Sequence, residues 1–202
     1  MEPLTNIRQA SLEERINLIL HTPELELDGN AYIGKYELGN WKSVESWMKE
    51  NLLRKKFLNH DTGESLQITT KGMDKLIHHS KNDDAYKKSI CHIPAIIENM
   101  KFFEKEGNEK LNGKFDSYEY FLTPVKIDGN DYTILSIVGK NKEGFYYDQS
   151  VMEGKARDLI NKRRDLLLQE HTQQKKADDL ANPSNSKYNR FFRILQGLYE
   201  KK

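Results

Sequence analysis

A single cysteine, Cys91, stands in a chain of 202 residues. No disulfide can close within it. That excludes the small secreted scaffolds stapled by cystines, and it makes a cytoplasmic setting the simpler expectation. Long apolar runs are missing as well: none approaches the roughly 20 residues that cross a bilayer. Met1-Glu2-Pro3-Leu4 has neither the basic start nor the apolar stretch of a signal peptide, so no membrane partner is expected. Charge of one sign is also lacking. Lys and Arg number 32 against 31 Asp and Glu, a net of +1, and bulk attraction to a polyanion is thereby removed. RNA, if it is a partner, must be held by a local patch. Neither GxGxxG nor GxxxxGK[ST] occurs, and GxSxG is absent too. Nucleotide-dependent chemistry and an α/β-hydrolase therefore have no support. His92 and Glu98 are six residues apart, which does not put two ligands on one helical face. With His78 and His79 they make no zinc pattern, and there is no Cys pair. Neither a metal nor a cofactor is expected.

The chain does have alternating apolar spacing and turn residues that set its elements. Ser11 with Glu14 is a capping box opening a helix over 11–21, with Leu12, Ile16, Ile19 and Leu20 on one face. Thr22-Pro23 ends it. A turn at Asp28-Gly29-Asn30 leads to a short strand expected over 31–38. An amphipathic helix over 41–54 follows, whose Trp41 and Trp47 read as core and not as ligand contacts. Segments 56–59 and 65–69 flank His60-Asp61-Thr62-Gly63 as a hairpin, and Thr70 caps a helix ending near Ile77 or Ser80. Ile90, Ile93, Ile97, Met100 and Phe103 recur at helical spacing, with Pro94 marking a kink or a fresh start. The charged segment 107–113 reads as a loop.

An antiparallel meander comes next, over 117–127, 132–138 and 145–148. Asp128-Gly129 supplies its first turn. From Val151 the expectation is a charged helix to Leu180, a turn at 182–186, and a last helix over 188–199 carrying Phe191, Phe192, Ile194, Leu195 and Leu198. The predicted class is α+β: helices packed on a curved antiparallel meander, with helical N- and C-terminal extensions. The predicted division is an N-terminal helical segment over 1–54, an α+β domain over 55–150, and charged helices over 151–202.

Candidate chemistry gathers in few places. His78 and His79 lie at a helix C-terminus, where the dipole favours the imidazolium. Beside Lys81, a charged His could stabilise a phosphorane-like transition state, and a neutral one could take a ribose hydroxyl proton. Ordinary C-terminal capping is the plainer reading. Tyr147 and Asp148 are placed at a strand end, where the Asp could orient a base and the Tyr could contact phosphate. Equally, the Asp could cap a helix beginning near Ser150. Thr133 and Ser136 fall on opposite faces of the central strand, and a hydroxyl bonded to backbone is the commoner fate of such a residue. Cys91, among Ile90, Ile93 and Ile97, reads as a small buried hydrophobe before it reads as a nucleophile.

Taken in order, Thr62-Gly63, Ile68-Thr69-Thr70-Lys71-Gly72, His78-His79-Ser80, Ile93-Pro94-Ala95-Ile96-Ile97-Glu98-Asn99, the Tyr118–Val138 hairpin and Tyr146-Tyr147-Asp148 resemble the small α+β domains of phage and mobile-element polyvalent proteins. Some of these are grouped with the barnase–EndoU–colicin E5/D–RelE (BECR) nuclease-like class. The resemblance spans roughly Lys55 to Ser150. It implies metal-independent RNA cleavage through the 2′-hydroxyl, with His78 or His79 as base and Lys81, Tyr147 and Asp148 as helpers. The meander departs from that pattern, carrying Tyr, Thr and Ser where a ribonuclease presents Arg, Glu and His. Two functions are therefore expected. One is a toxin- or effector-like RNase domain, to which Lys162-Arg163-Arg164 and Lys175-Lys176 could lend a basic face. The other is a catalytically inactive accessory or protein-interaction protein of a phage or mobile element, inhibitors of host defence being one subset. Its aromatic helices would bury against a host protein or a second copy.

Overall fold

In the computed structural model, residues 7–79, 83–107, 115–141 and 144–161 are described. Ser11 opens helix α1, Leu12–His21, by the expected reciprocal cap. Its Oγ accepts from the Glu14 N–H at 3.2 Å, while Glu14 accepts from the Ser11 N–H at 2.7 Å. Strand β1, Leu25–Leu27, follows. The strand expected over 31–38 does not form. Residues 29–35 are successive turns, because Tyr32 and Tyr36 are used as an i, i+4 pair and not as an alternating one. Their rings lie 5.9 Å apart, and Tyr36 continues onto Trp47 at 5.4 Å. Asn40 caps α2, Trp41–Asn51, whose Val44 and Met48 are fully buried. Both tryptophans pack against the core.

The predicted hairpin is present as β2, Lys56–Leu58, paired antiparallel with β3, Ser65–Gln67. Buried Asn59 organises its tip. The Asn59 side-chain amide donates to Ile97 O and Met100 O, both at 2.8 Å, and its carbonyl accepts from Thr62 N–H at 2.9 Å and Thr62 Oγ1 at 2.8 Å. In helix α3, Thr70–His79, Thr70 is the first helical residue and not the expected cap: the capping side chain is Thr69, whose Oγ1 accepts from Gly72 N–H at 3.3 Å. Asp83 caps α4, Asp84–Ser89. After a short 3-10 turn, α5, Ile93–Asn99, starts afresh with Pro94 in its first turn. The helix does not continue to Phe103. Met100 is extended, and β4, Lys101–Gly107, begins immediately. Phe102 and Phe103 thus belong to a strand whose pairing is non-local.

Strands β5 (Ser117–Ile127), β6 (Asn130–Asn141) and β7 (Gly144–Glu153) form the expected antiparallel meander. The β5–β6 turn places Asp128 at φ 52° and Gly129 at φ 78°, the two left-handed residues a tight two-residue hairpin requires. The sheet order is β1-β5-β6-β7. β4 pairs antiparallel with the first half of β5, and β1 pairs parallel with its end. Helices α3, α4 and α5 cover one sheet face. Met73, Leu76, Ile77, Ile90, Ile93 and Ile97 meet Phe121, Val125, Ile134, Val138 and Val151 in one core, each fully buried aliphatic contributing on the order of 1.5–3 kcal/mol. Gly72 brings α3 close to β7: a Cβ there would meet the Tyr147 carbonyl oxygen at 3.0 Å and its nitrogen at 3.1 Å.

The helix expected from Val151 is corrected at its start. β7 runs to Glu153, and helical residues begin at 156. The two-residue period holds through Val151, which pairs with Ile134 and needs the sheet. The remainder of that helix, the turn at 182–186 and the helix over 188–199 lie outside the described residues, as does most of the loop over 107–113. The chain divides into two compact units, Met1–Ala156 and Arg157–Lys202, and the site lies in the first. Among the described residues, no helix is long and apolar enough to cross a membrane.

Candidate functional site

Helix α3 carries His78 and His79 in its last turn, as the spacing predicts. Their side chains, and residues 80–82 including Lys81, lie outside the described residues. Tyr147 and Asp148 are not at a strand end. β7 continues five residues beyond Asp148, so Asp148 caps no helix. Adjacent strand residues face opposite ways, so the two side chains leave β7 on opposite sides of the sheet. Tyr147, paired with Val138, joins the helix-covered core. Asp148, paired with Ile137, is buried, with Oδ1 accepting from the Gln149 N–H at 2.9 Å.

Tyr147 belongs to a buried polar chain. Its hydroxyl donates to Gln149 Oε1 at 2.9 Å and shares a 3.1 Å hydrogen bond with Ser136 Oγ. The Gln149 amide donates to Ser89 Oγ at 3.0 Å, and Ser89 donates to Tyr86 O at 2.7 Å. Sheet and α4 are thereby stitched together across an otherwise apolar layer. Burial pushes the Tyr147 phenol well above its ordinary range. Thr133 meets the expected fate of a strand hydroxyl, donating to Gly154 O at 3.0 Å. Ser136 is buried as well.

One charge cluster among the described residues was not singled out in the sequence. Glu119 on β5 is 1 % exposed. Arg8 grips it through Nε at 3.1 Å and Nη2 at 2.9 Å, and Lys140 on β6 reaches it at 2.9 Å. Glu64, on the hairpin that Asn59 holds, lies 2.7 Å from Arg8 and 2.6 Å from Lys140. Burial alone would raise the Glu119 carboxyl. The hydrogen bonds and charges of Arg8 and Lys140 outweigh it and hold the group below the usual range. The Arg8 guanidinium is held above its ordinary value: its own burial opposes this, and Glu119 and Glu64 together outweigh it. A signal existed. Glu119 has the inward parity of Phe121 and Val125, and an inward-facing charge needs partners. Nothing local indicated that Arg8 would be one of them.

Cys91 is half-buried and hydrogen-bonded, not an inert hydrophobe. Its N–H donates to Tyr36 Oη at 3.2 Å, and its thiol lies 3.4 Å from Lys88 O. Tyr36 in turn donates to Lys87 O at 2.7 Å. The neighbouring His92 places Nε2 2.9 Å from Asp28 O. Burial raises the thiol, but the hydrogen bond and charge of His92, with Tyr36 and Lys35, lower it overall. The same bond to Cys91 raises His92. Among the described residues, no group of three or more His, Cys, Asp or Glu is arranged to hold a metal ion.

Residues 36–147 match the family model described as large polyvalent protein-associated domain 3. The match takes in α2 through most of the meander, and with it Glu64, Glu119 and Lys140. No curated protein and no solved structure matches the chain.

Proposed function

Because the chain belongs to the large polyvalent protein-associated domain 3 family, we propose that it is an accessory module of a phage or mobile-element polyvalent protein, acting by binding and not by catalysis. The observation that carries this reading is where the domain uses its central polar groups. Tyr147, Ser136, Gln149 and Ser89 are all buried and bonded to one another, and Glu119 is closed in by Arg8 and Lys140. A general base or acid has to reach the proton it moves. These groups instead hold strands to helices, which is what a rigid binding scaffold needs. A protein, whether from the host or a second copy of this chain, is the partner class on this reading.

The competing function is metal-independent RNA cleavage through His78 or His79. It is tested by incubating the purified full chain with total RNA in EDTA, beside the His78→Ala/His79→Ala double variant. The accessory reading expects intact RNA in both reactions. Cleavage by the wild type that disappears in the double variant would overturn it in favour of the ribonuclease. Cleavage that persists would overturn both the accessory reading and the histidine assignment.

A further inference from the structure

The Arg8–Glu119–Lys140–Glu64 cluster is built unequally. The inner carboxylate, Glu119, engages both cations by itself: bidentately with Arg8, and at 2.9 Å with Lys140. The outer one, Glu64, has a side chain 33 % exposed and presents a single oxygen, Oε2, to both Arg8 Nη2 at 2.7 Å and Lys140 Nζ at 2.6 Å. One anionic oxygen held between a guanidinium and an ammonium is how proteins commonly seat a phosphate oxygen. With the Glu64 carboxylate rotated away, the position its Oε2 holds between Arg8 Nη2 and Lys140 Nζ is open to another anionic oxygen.

We propose that Arg8 and Lys140 form a binding site for a phosphate group, occupied in the free protein by the carboxylate of Glu64. Phosphate entry needs only rotation of that side chain. The backbone of the hairpin tip stays fixed, because Asn59 holds it from within: Asn59 N–H donates to Glu64 O at 2.8 Å, and its side chain holds Thr62. Glu64 is the more exposed of the two carboxylates, 33 % against 1 % for Glu119, so solvent screens its ion pairs more. Phosphate brings more charge and more acceptor oxygens to the same two donors. Glu119 keeps both cations in place while the outer anion exchanges, so the site does not have to reassemble. This inference is independent of whether the domain cleaves RNA.

The test is an NMR titration of the full-length chain that follows the Arg8 Nε–H and the Glu64 amide, at constant ionic strength, with chloride as control. Inorganic phosphate is expected to move both signals saturably. The Glu64→Gln variant should bind about tenfold more tightly, because a tethered competitor has been neutralised. Lys140→Gln should bind more weakly, with a thermal melt confirming that it is folded. Two further arms identify the source of the phosphate: a nucleoside 5′-monophosphate, and a short single-stranded RNA without terminal phosphates. A response to the monophosphate alone assigns a small phosphomonoester, and a response to the RNA assigns a backbone diester. An Arg8 Nε–H that does not respond to phosphate in wild type or Glu64→Gln overturns the proposal, and so does an affinity unchanged by Glu64→Gln. The wild-type titration needs no variant to fold.

Discussion

The guanidinium of Arg8 holds the carboxylate of Glu119 through two hydrogen bonds of 3.1 and 2.9 Å, although 111 residues separate them. This pair joins the beginning of the described chain to the middle strand of the sheet. A buried carboxylate left with one cation is costly, so Arg8→Gln should destabilise the fold by about 3 kcal/mol. Denaturant titration of the variant reads it directly. A change under roughly 0.5 kcal/mol, the size of an ordinary surface substitution, would show the pair to be solvated.

The same pair sets an acid limit. The Glu119 carboxyl is held below its unfolded value of 4.5, because the buried anion keeps its hydrogen bonds to Arg8 and Lys140. Its contribution is therefore fully present above that unfolded value and is lost as pH falls through the lower, folded one. Stability measured against pH should decline on the acid side in the wild type. Glu119→Gln should flatten that decline while lowering stability near neutrality.

Removing one hydroxyl tests the buried polar chain. Tyr147→Phe strands Gln149 Oε1 and Ser136 Oγ, which are 2.9 and 3.1 Å away, at a cost of about 1–3 kcal/mol. Hydrogen exchange should quicken in α4, which the chain reaches through Ser89. A variant as stable as the wild type would mean that these bonds contribute nothing net.

Gly72→Ala sets helix propensity against space. Alanine gains about 1 kcal/mol inside a helix. The new Cβ, however, meets the Tyr147 backbone at 3.0 and 3.1 Å, and a paired strand cannot move aside as a side chain can. Net destabilisation of roughly 1–2 kcal/mol is expected, read as a lowered thermal midpoint. A raised midpoint would place α3 farther from β7 than it stands here.

Cys91 should alkylate at a pH below that of an ordinary thiol, because His92, Tyr36 and Lys35 together outweigh the effect of its burial. His92→Asn should move the midpoint of the iodoacetamide rate upward. An unshifted midpoint in the variant would remove His92 as the cause.

The sequence alone determined the elements whose signals are local. The Ser11–Glu14 box, the 56–69 hairpin, the fresh helix at Pro94 and the Asp128-Gly129 meander all form as their residues dictate, because caps and tight turns depend on groups a few positions apart. Phe103 fitted the helical period of the residues before it, and only the pairing of 101–107 with β5 makes this segment a strand. Tyr32 and Tyr36 fitted an alternating strand, and only Trp47 and the carbonyl of Lys87 make them a turn. The candidate site divides in the same way. His78 and His79 were legible as a helix end. Tyr147 was misplaced at a strand end because strand length depends on the neighbour that continues the ladder, here Ile134 opposite Val151. The Glu119 cluster was decided by tertiary structure alone. A buried charge announces that it needs partners, but sequence spacing does not say which cations the fold will bring to it, and here they come from Arg8 and Lys140, far away along the chain.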